Sequence, residues 1–136
     1  MESKRIIVVE DDADLGWLVQ LHLQEAGYQV TLATDGATGL SVFLDDGADL
    51  LLLDVNLPVM DGLQMLLKVR EVSPVPVILM TAYAWDRDDL RGLGLGMDCY
   101  LPKPFSTRDL HARVRSFLDR EAFIPSSHAS YAGLQP

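Results

Sequence analysis

Six positions carry residue types that can act together on an anion and a metal ion. Glu10, Asp11 and Asp12 follow the apolar run Ile6-Ile7-Val8-Val9. Asp54 ends Leu50-Leu51-Leu52-Leu53, Thr81 ends Val77-Ile78-Leu79-Met80, and Lys103 lies in Pro102-Lys103-Pro104-Phe105. Carboxylates packed side by side repel one another, and a hard divalent cation relieves the repulsion. Mg²⁺ suits such a set because it takes one or two carboxylates and keeps sites for water and phosphate oxygens. A hydroxyl and an ammonium suit the oxygens of an anion on the same metal, so the chemistry indicated is phosphoryl transfer with an aspartyl nucleophile. Each residue also has a structural reading. Asp11 and Asp12 suit a helix N-terminus, Thr81 suits an ordinary strand, and Asp54 is either a cap or a reactive group.

The elements that would bring these residues together are legible in the apolar pattern. Arg5 to Glu10 reads as a first strand, Tyr28 to Ala33 as a second and Asp49 to Asp54 as a third. Val77 to Thr81 reads as a fourth strand and Asp98 to Leu101 as a short fifth. The third is apolar on both alternations, as expected of a strand covered on both faces of a parallel sheet.

Helices alternate with the strands. The first opens at Asp11-Asp12 and runs to about Ala26, with an apolar stripe of Leu15, Leu18, Val19, His22 and Ala26 and a stop at Gly27. The second spans Ala37 to Leu44. The third starts at Asp61 or Gly62 and carries Leu63, Leu66 and Leu67. The fourth covers about Asp86 to Leu95, with Gly92 and Gly94 weakening it. The last starts near Ser106 or Thr107 and carries Leu110, Val114, Phe117 and Leu118.

Five alternations with short connections predict an α/β fold. The expected architecture is a single doubly wound (βα)5 domain whose five-stranded parallel sheet has helices on both faces. Ligands of such sheets gather at the carboxyl ends of the strands, and that edge is where all six positions fall. Residues 1–121 form the expected domain, and 122–136 read as a linker or disordered tail rich in Ser, Ala, Pro and Gly.

Composition excludes several classes. With 20 acidic against 11 basic residues the formal charge is −9, which argues against direct nucleic-acid binding by this domain. No apolar stretch approaches the roughly 20 residues of a membrane span. The single cysteine, Cys99, allows no internal disulfide and fits a cytoplasmic location. The glycines between Gly92 and Gly96 neither follow the first strand nor precede a suitable helix, so they do not read as a dinucleotide loop.

Taken together, Val9-Glu10-Asp11-Asp12, the Asp54 to Gly62 segment with Pro58 and Asp61-Gly62, Thr81-Ala82, and Tyr100 followed by Lys103-Pro104-Phe105 resemble the receiver domain of two-component response regulators. That family is flavodoxin-like, and the resemblance implies strand order 2-1-3-4-5. It implies that Asp54 is the phosphoacceptor for a sensor histidine kinase or phosphotransfer protein, and that Asp11, Asp54 and the main-chain carbonyl of Asn56 bind Mg²⁺, with Mn²⁺ able to substitute. Glu10 would act on the metal through water. Lys103 and Thr81 would contact the phosphoryl group, Thr81 and Tyr100 would form the conformational switch, and the Lys103–Pro104 bond would be cis.

The resemblance also implies a signalling switch with slow self-catalysed phosphorylation and dephosphorylation, not a turnover enzyme. The last helix resembles the receivers of winged-helix transcription factors, which implies a homodimer through the fourth helix, fifth strand and last helix, with Asp98 and Arg113 in position for an ion pair. Exposed Trp17 on the first helix would lie where such domains dock partners. The rival aspartyl phosphatase of the haloacid-dehalogenase type needs its nucleophile on the first strand and a second Asp two residues later, where this chain has Asn56. A pseudo-receiver is disfavoured by the intact Asp54, Thr81 and Lys103.

Overall fold

The computed structural model describes residues 3–55, 62–81 and 99–119. Strand β1 (Arg5–Val9) leads to α1 (Ala13–Glu25), β2 (Gln29–Ala33) to α2 (Gly36–Asp46), and β3 (Leu50–Asp54) to α3 (Gly62–Arg70). Then come β4 (Val77–Thr81), β5 (Cys99–Pro102) and the C-terminal helix α4 (Thr107–Leu118). The expected helix at about Asp86 to Leu95 lies outside the described residues. All strands are parallel in the order β2-β1-β3-β4-β5, the order that the resemblance implied.

Strand periodicity divides the core into two layers. Ile7, Val9, Leu51, Leu53, Val77 and Leu79 meet Phe43 of α2 and Met65, Leu66 and Val69 of α3. Ile6, Val8, Leu50, Leu52, Ile78 and Met80 meet Val19 and Leu23 of α1 and Leu110 and Val114 of α4. β3 is buried at every residue, Asp54 included. Its leucines each contribute roughly 1.5–3 kcal/mol of burial, and this drive carries a carboxylate into the interior at the strand's end.

Helix starts follow the sequence expectation. Asp12 accepts hydrogen bonds from the backbone N–H groups of Asp14 and Leu15 at 3.0 and 3.2 Å. Asp35 accepts from Thr38 N at 2.7 Å and Ser106 from Asp109 N at 3.0 Å. Asp12 is therefore a cap. Gly27, with φ of 101°, ends α1 as expected.

The face of α1 differs from the expected stripe. Gly16, Val19 and Leu23 are buried, whereas Leu18 is 44% exposed and Ala26 is exposed. A Cβ on Gly16 would lie 3.0 Å from Leu32 Cδ1, so the helix seats its glycine against β2. That rotation turns Leu18 outward. On α3, Leu66 is buried but Leu67 is 53% exposed. The contrast sets an expectation for urea denaturation: Leu66→Ala destabilises by about 2–5 kcal/mol and Leu67→Ala by no more than about 0.5 kcal/mol.

Candidate functional site

In-register parallel pairing lines up the carboxyl ends of the strands. Val9 pairs with Leu53, Asp54 with Met80, and Thr81 with Pro102. Glu10 therefore leaves β1 beside the end of β3, and Lys103 leaves β5 just beyond the end of β4. Glu10 is fully buried and Asp54 is 5% exposed. Lys103 Nζ lies 2.6 Å from Glu10 Oε1 and 3.0 Å from Asp54 Oδ2, donating a hydrogen bond to the latter. Glu10 Oε1 is thus buried against the Lys103 ammonium. The other oxygen, Oε2, accepts from Asp12 N at 3.1 Å.

Burial is the largest influence on Glu10 and pushes its carboxyl from an ordinary 4.5 up to about 7. The ammonium of Lys103 and the N–H of Asp12 oppose this, and the neighbouring Asp54 adds to it. For Lys103, burial works to lower its pKa, but the hydrogen bonds and charges of Glu10 and Asp54 outweigh it, and the ammonium is raised above the usual value.

Asp11 stands exposed at the rim, and carboxylate oxygens of Glu10, Asp11 and Asp54 lie within 4.8 Å of one another. Three carboxylates against one ammonium leave a formal excess of two negative charges. This donor set fits a hard divalent cation such as Mg²⁺ or Mn²⁺.

The structure brings Glu10, Asp11, Asp54 and Lys103 together. Thr81 ends β4 on the same edge, while its side chain and all of Asn56 lie outside the described residues. Tyr100 is half-buried on β5, pairs with Leu79 and packs on the core layer shared with α3. The Lys103–Pro104 bond is cis. Trp17 is 57% exposed. Arg113 Nη1 donates to the Tyr100 carbonyl and lies 2.9 Å from Cys99 Sγ. Asp98 lies outside the described residues.

Two features went unread in the sequence. One is the contact of Glu10 with Lys103, which spans 93 positions of the chain and follows from topology alone. The other is Gly62. A Cβ there would sit 2.0 Å from the Asp54 carbonyl oxygen, and its N–H donates to Val55 O at 3.1 Å, so α3 begins with its backbone against that of Asp54. The glycine at the start of an apolar helix was the only signal.

Comparison with known proteins gives the same assignment. The family described as response regulator receiver domain matches residues 6–115. This chain belongs to that family. It is 41% identical over 129 residues to the transcriptional regulatory protein CpxR of Klebsiella pneumoniae, covering 95% of this chain and 55% of that protein. Identity to CpxR of Escherichia coli K12 is 44% over 116 residues, 85% of this chain and 50% of the relative. The receiver thus spans about half the length of the curated relatives it matches.

Among solved structures, a CheY-like receiver from Methanospirillum hungatei superposes with a TM-score of 0.82 at 30% identity, covering 89% of this chain and 98% of that one. The receiver domain of a Pseudomonas aeruginosa sensor histidine kinase, solved with a magnesium ion coordinated in its active-site cleft, gives 0.78 at 30% identity, covering 87% and 99%. Receiver domains are signalling switches that bind Mg²⁺ at an acidic pocket and interact with histidine kinases. Asp54 ends the third strand of this receiver.

Two outcomes follow from this geometry. Gly62→Ala forces the backbone at Asp54 to move and destabilises the domain by about 1–3 kcal/mol, read by chemical denaturation. Without divalent metal, unfolded Glu10 ionises near 4.5 while folded Glu10 resists until about 7. Between those values the native state binds more protons, so stability falls as pH rises. Denaturation midpoints of wild type minus Glu10→Gln, measured across that window in chelator, should therefore decline from acid to neutral pH.

Proposed function

We propose that this receiver is a phosphorylation-dependent switch in which Asp54 accepts a phosphoryl group from a histidine kinase or phosphotransfer protein. The observation that carries this reading is the ammonium of Lys103 at 3.0 Å from Asp54 Oδ2, on a strand-end edge that also holds Glu10 and Asp11. In the transfer, the donor's P–N bond breaks, a bond forms between an Asp54 carboxylate oxygen and phosphorus, and the departing imidazole takes up a proton.

Asp11, Asp54 and the carbonyl of Asn56 would hold Mg²⁺, or Mn²⁺ in its place, with Glu10 acting through a water. The metal would supply neutralisation of charge on the transferring phosphoryl oxygens. Lys103 would meet that charge from the β5 side and Thr81 would hydrogen-bond a phosphoryl oxygen. Phosphorylation exchanges roughly one negative charge for two. Movement of Thr81 toward the new oxygens would open space for Tyr100 to turn inward, a population shift between two packings. The same groups would support slow phosphorylation from small donors and slow hydrolysis of the acyl phosphate.

The named relatives are transcriptional regulatory proteins about twice this length in coverage. By that likeness the domain, residues 1–121, would control an output module beyond a linker at 122–136, through the face of the fourth helix, β5 and the last helix. A homodimer on that face would be the phosphorylated form. Among the described residues no helix is long and apolar enough to cross a membrane, and a cytoplasmic setting fits the kinase partner.

Mass spectrometry after treatment with acetyl phosphate and Mg²⁺ tests the assignment. The expected result is one hydroxylamine-labile phosphoryl adduct, absent with chelator and absent in Asp54→Ala. An adduct that persists in Asp54→Ala would place the acceptor elsewhere.

A further inference from the structure

We propose that His22 and His111 form a binding site for a divalent transition metal ion, Zn²⁺ above all, on the seam between α1 and α4, with Glu25 as the third donor. The site shares no residue with the acidic edge and does not rest on the phosphoacceptor reading of Asp54. Leu23 of α1 and Leu110 of α4 are buried in the same core layer. His22 and His111 are their immediate neighbours in sequence and are both half-buried, so the two rings meet at the margin of that layer. Their centroids are 6.3 Å apart and the rings are set edge-to-face at 73°. Nothing in the spacing of positions 22 and 111 signals the pair, because one ring comes from the first helix and the other from the last.

Three features suit the pair to a metal rather than to packing alone. First, His111 Nε2 is buried and has no hydrogen-bond partner among the described residues, a condition that costs free energy unless a ligand or water answers it. Imidazole nitrogen is a preferred donor to Zn²⁺. Second, Glu25 stands one turn beyond His22 on the same helix face, its Oε1 3.9 Å from His22 Nδ1. One ion with bonds of about 2.0–2.2 Å to each atom spans that distance. Two histidines and a glutamate are also a donor set that zinc enzymes use. Third, the His22 side chain is 35% exposed and that of Glu25 66%, which gives the ion a path from solvent.

His111 completes the set by side-chain rotation. Two imidazoles on one tetrahedral Zn²⁺ have centroids about 5 Å apart, so binding draws the rings together by roughly 1 Å and ties α1 to α4. Nitrogen donors set this site apart from the acidic edge, whose oxygens suit Mg²⁺.

Calorimetric titration of Zn²⁺ into the full chain, with excess Mg²⁺ present, tests the site. His22→Gln and His111→Gln should each weaken the tightest Zn²⁺ binding at least about tenfold, since losing even a partner of a metal ligand has that effect. Asp11→Asn on the acidic edge and His128→Gln at the third histidine should each leave it within about twofold. Tight binding that survives both His22→Gln and His111→Gln, or that Asp11→Asn abolishes, overturns the proposal. A second readout needs no variant. In ¹⁵N-labelled wild-type chain, one equivalent of Zn²⁺ should shift ring-nitrogen signals of His22 and His111 together. A shift confined to one of them, or to neither, overturns it as well.

Discussion

Two carboxylates on neighbouring strand ends, Glu10 and Asp54, are almost wholly withdrawn from water. Such burial is costly for charged groups unless a partner compensates it. The ammonium of Lys103 is that partner for both, at 2.6 and 3.0 Å, and its own raised pKa reflects the two charges it answers. Much else in the fold follows from keeping these three groups in place. The leucines of β3 carry Asp54 inward, the register of β1 on β3 sets Glu10 beside it, and β5 ends where its lysine can cross the end of β4.

The compensation is incomplete. One ammonium cannot neutralise Glu10, Asp54 and the exposed Asp11 together. Burial keeps Glu10 titrating near neutrality. A site held two negative charges short of balance favours a divalent cation and, with it, an anion whose charge the metal and Lys103 can share. A fully satisfied polar network would have been more stable and inert.

Support for this arrangement comes from close backbone packing as much as from polar contacts. Gly62 lets α3 start directly against the Asp54 carbonyl, and Gly39 and Gly16 let α2 and α1 approach β1 and β2, where a Cβ would meet Val9 or Leu32. The C-terminal helix is tied to β5 by Arg113, which donates to the Tyr100 carbonyl, and to β2 through Tyr28, whose hydroxyl donates to Asp119 at 3.1 Å. The C-terminal helix is thus linked to the strand bearing Tyr100.

The sequence by itself determined the alternation of strands and helices, the parallel sheet and the edge on which Asp11, Asp54, Thr81 and Lys103 fall. Those features follow from local periodicity and from the rule that right-handed crossovers return each strand to the same end. Capping by Asp12 was legible for the same reason, since it involves residues only two and three positions away. The rotation of α1 was not, because Gly16 has no hydrophobic signal and its fit depends on Leu32, far along the chain. Leu18 was misplaced on the apolar stripe of α1 because hydropathy marks an apolar side chain but not the direction in which packing turns it. Gly62's clash-free approach and the 2.6 Å contact of Glu10 with Lys103 depended on distances between segments that only the assembled sheet fixes. Residue type named the chemistry of Asp54; the tertiary structure decided which charges surround it and how far each one stands.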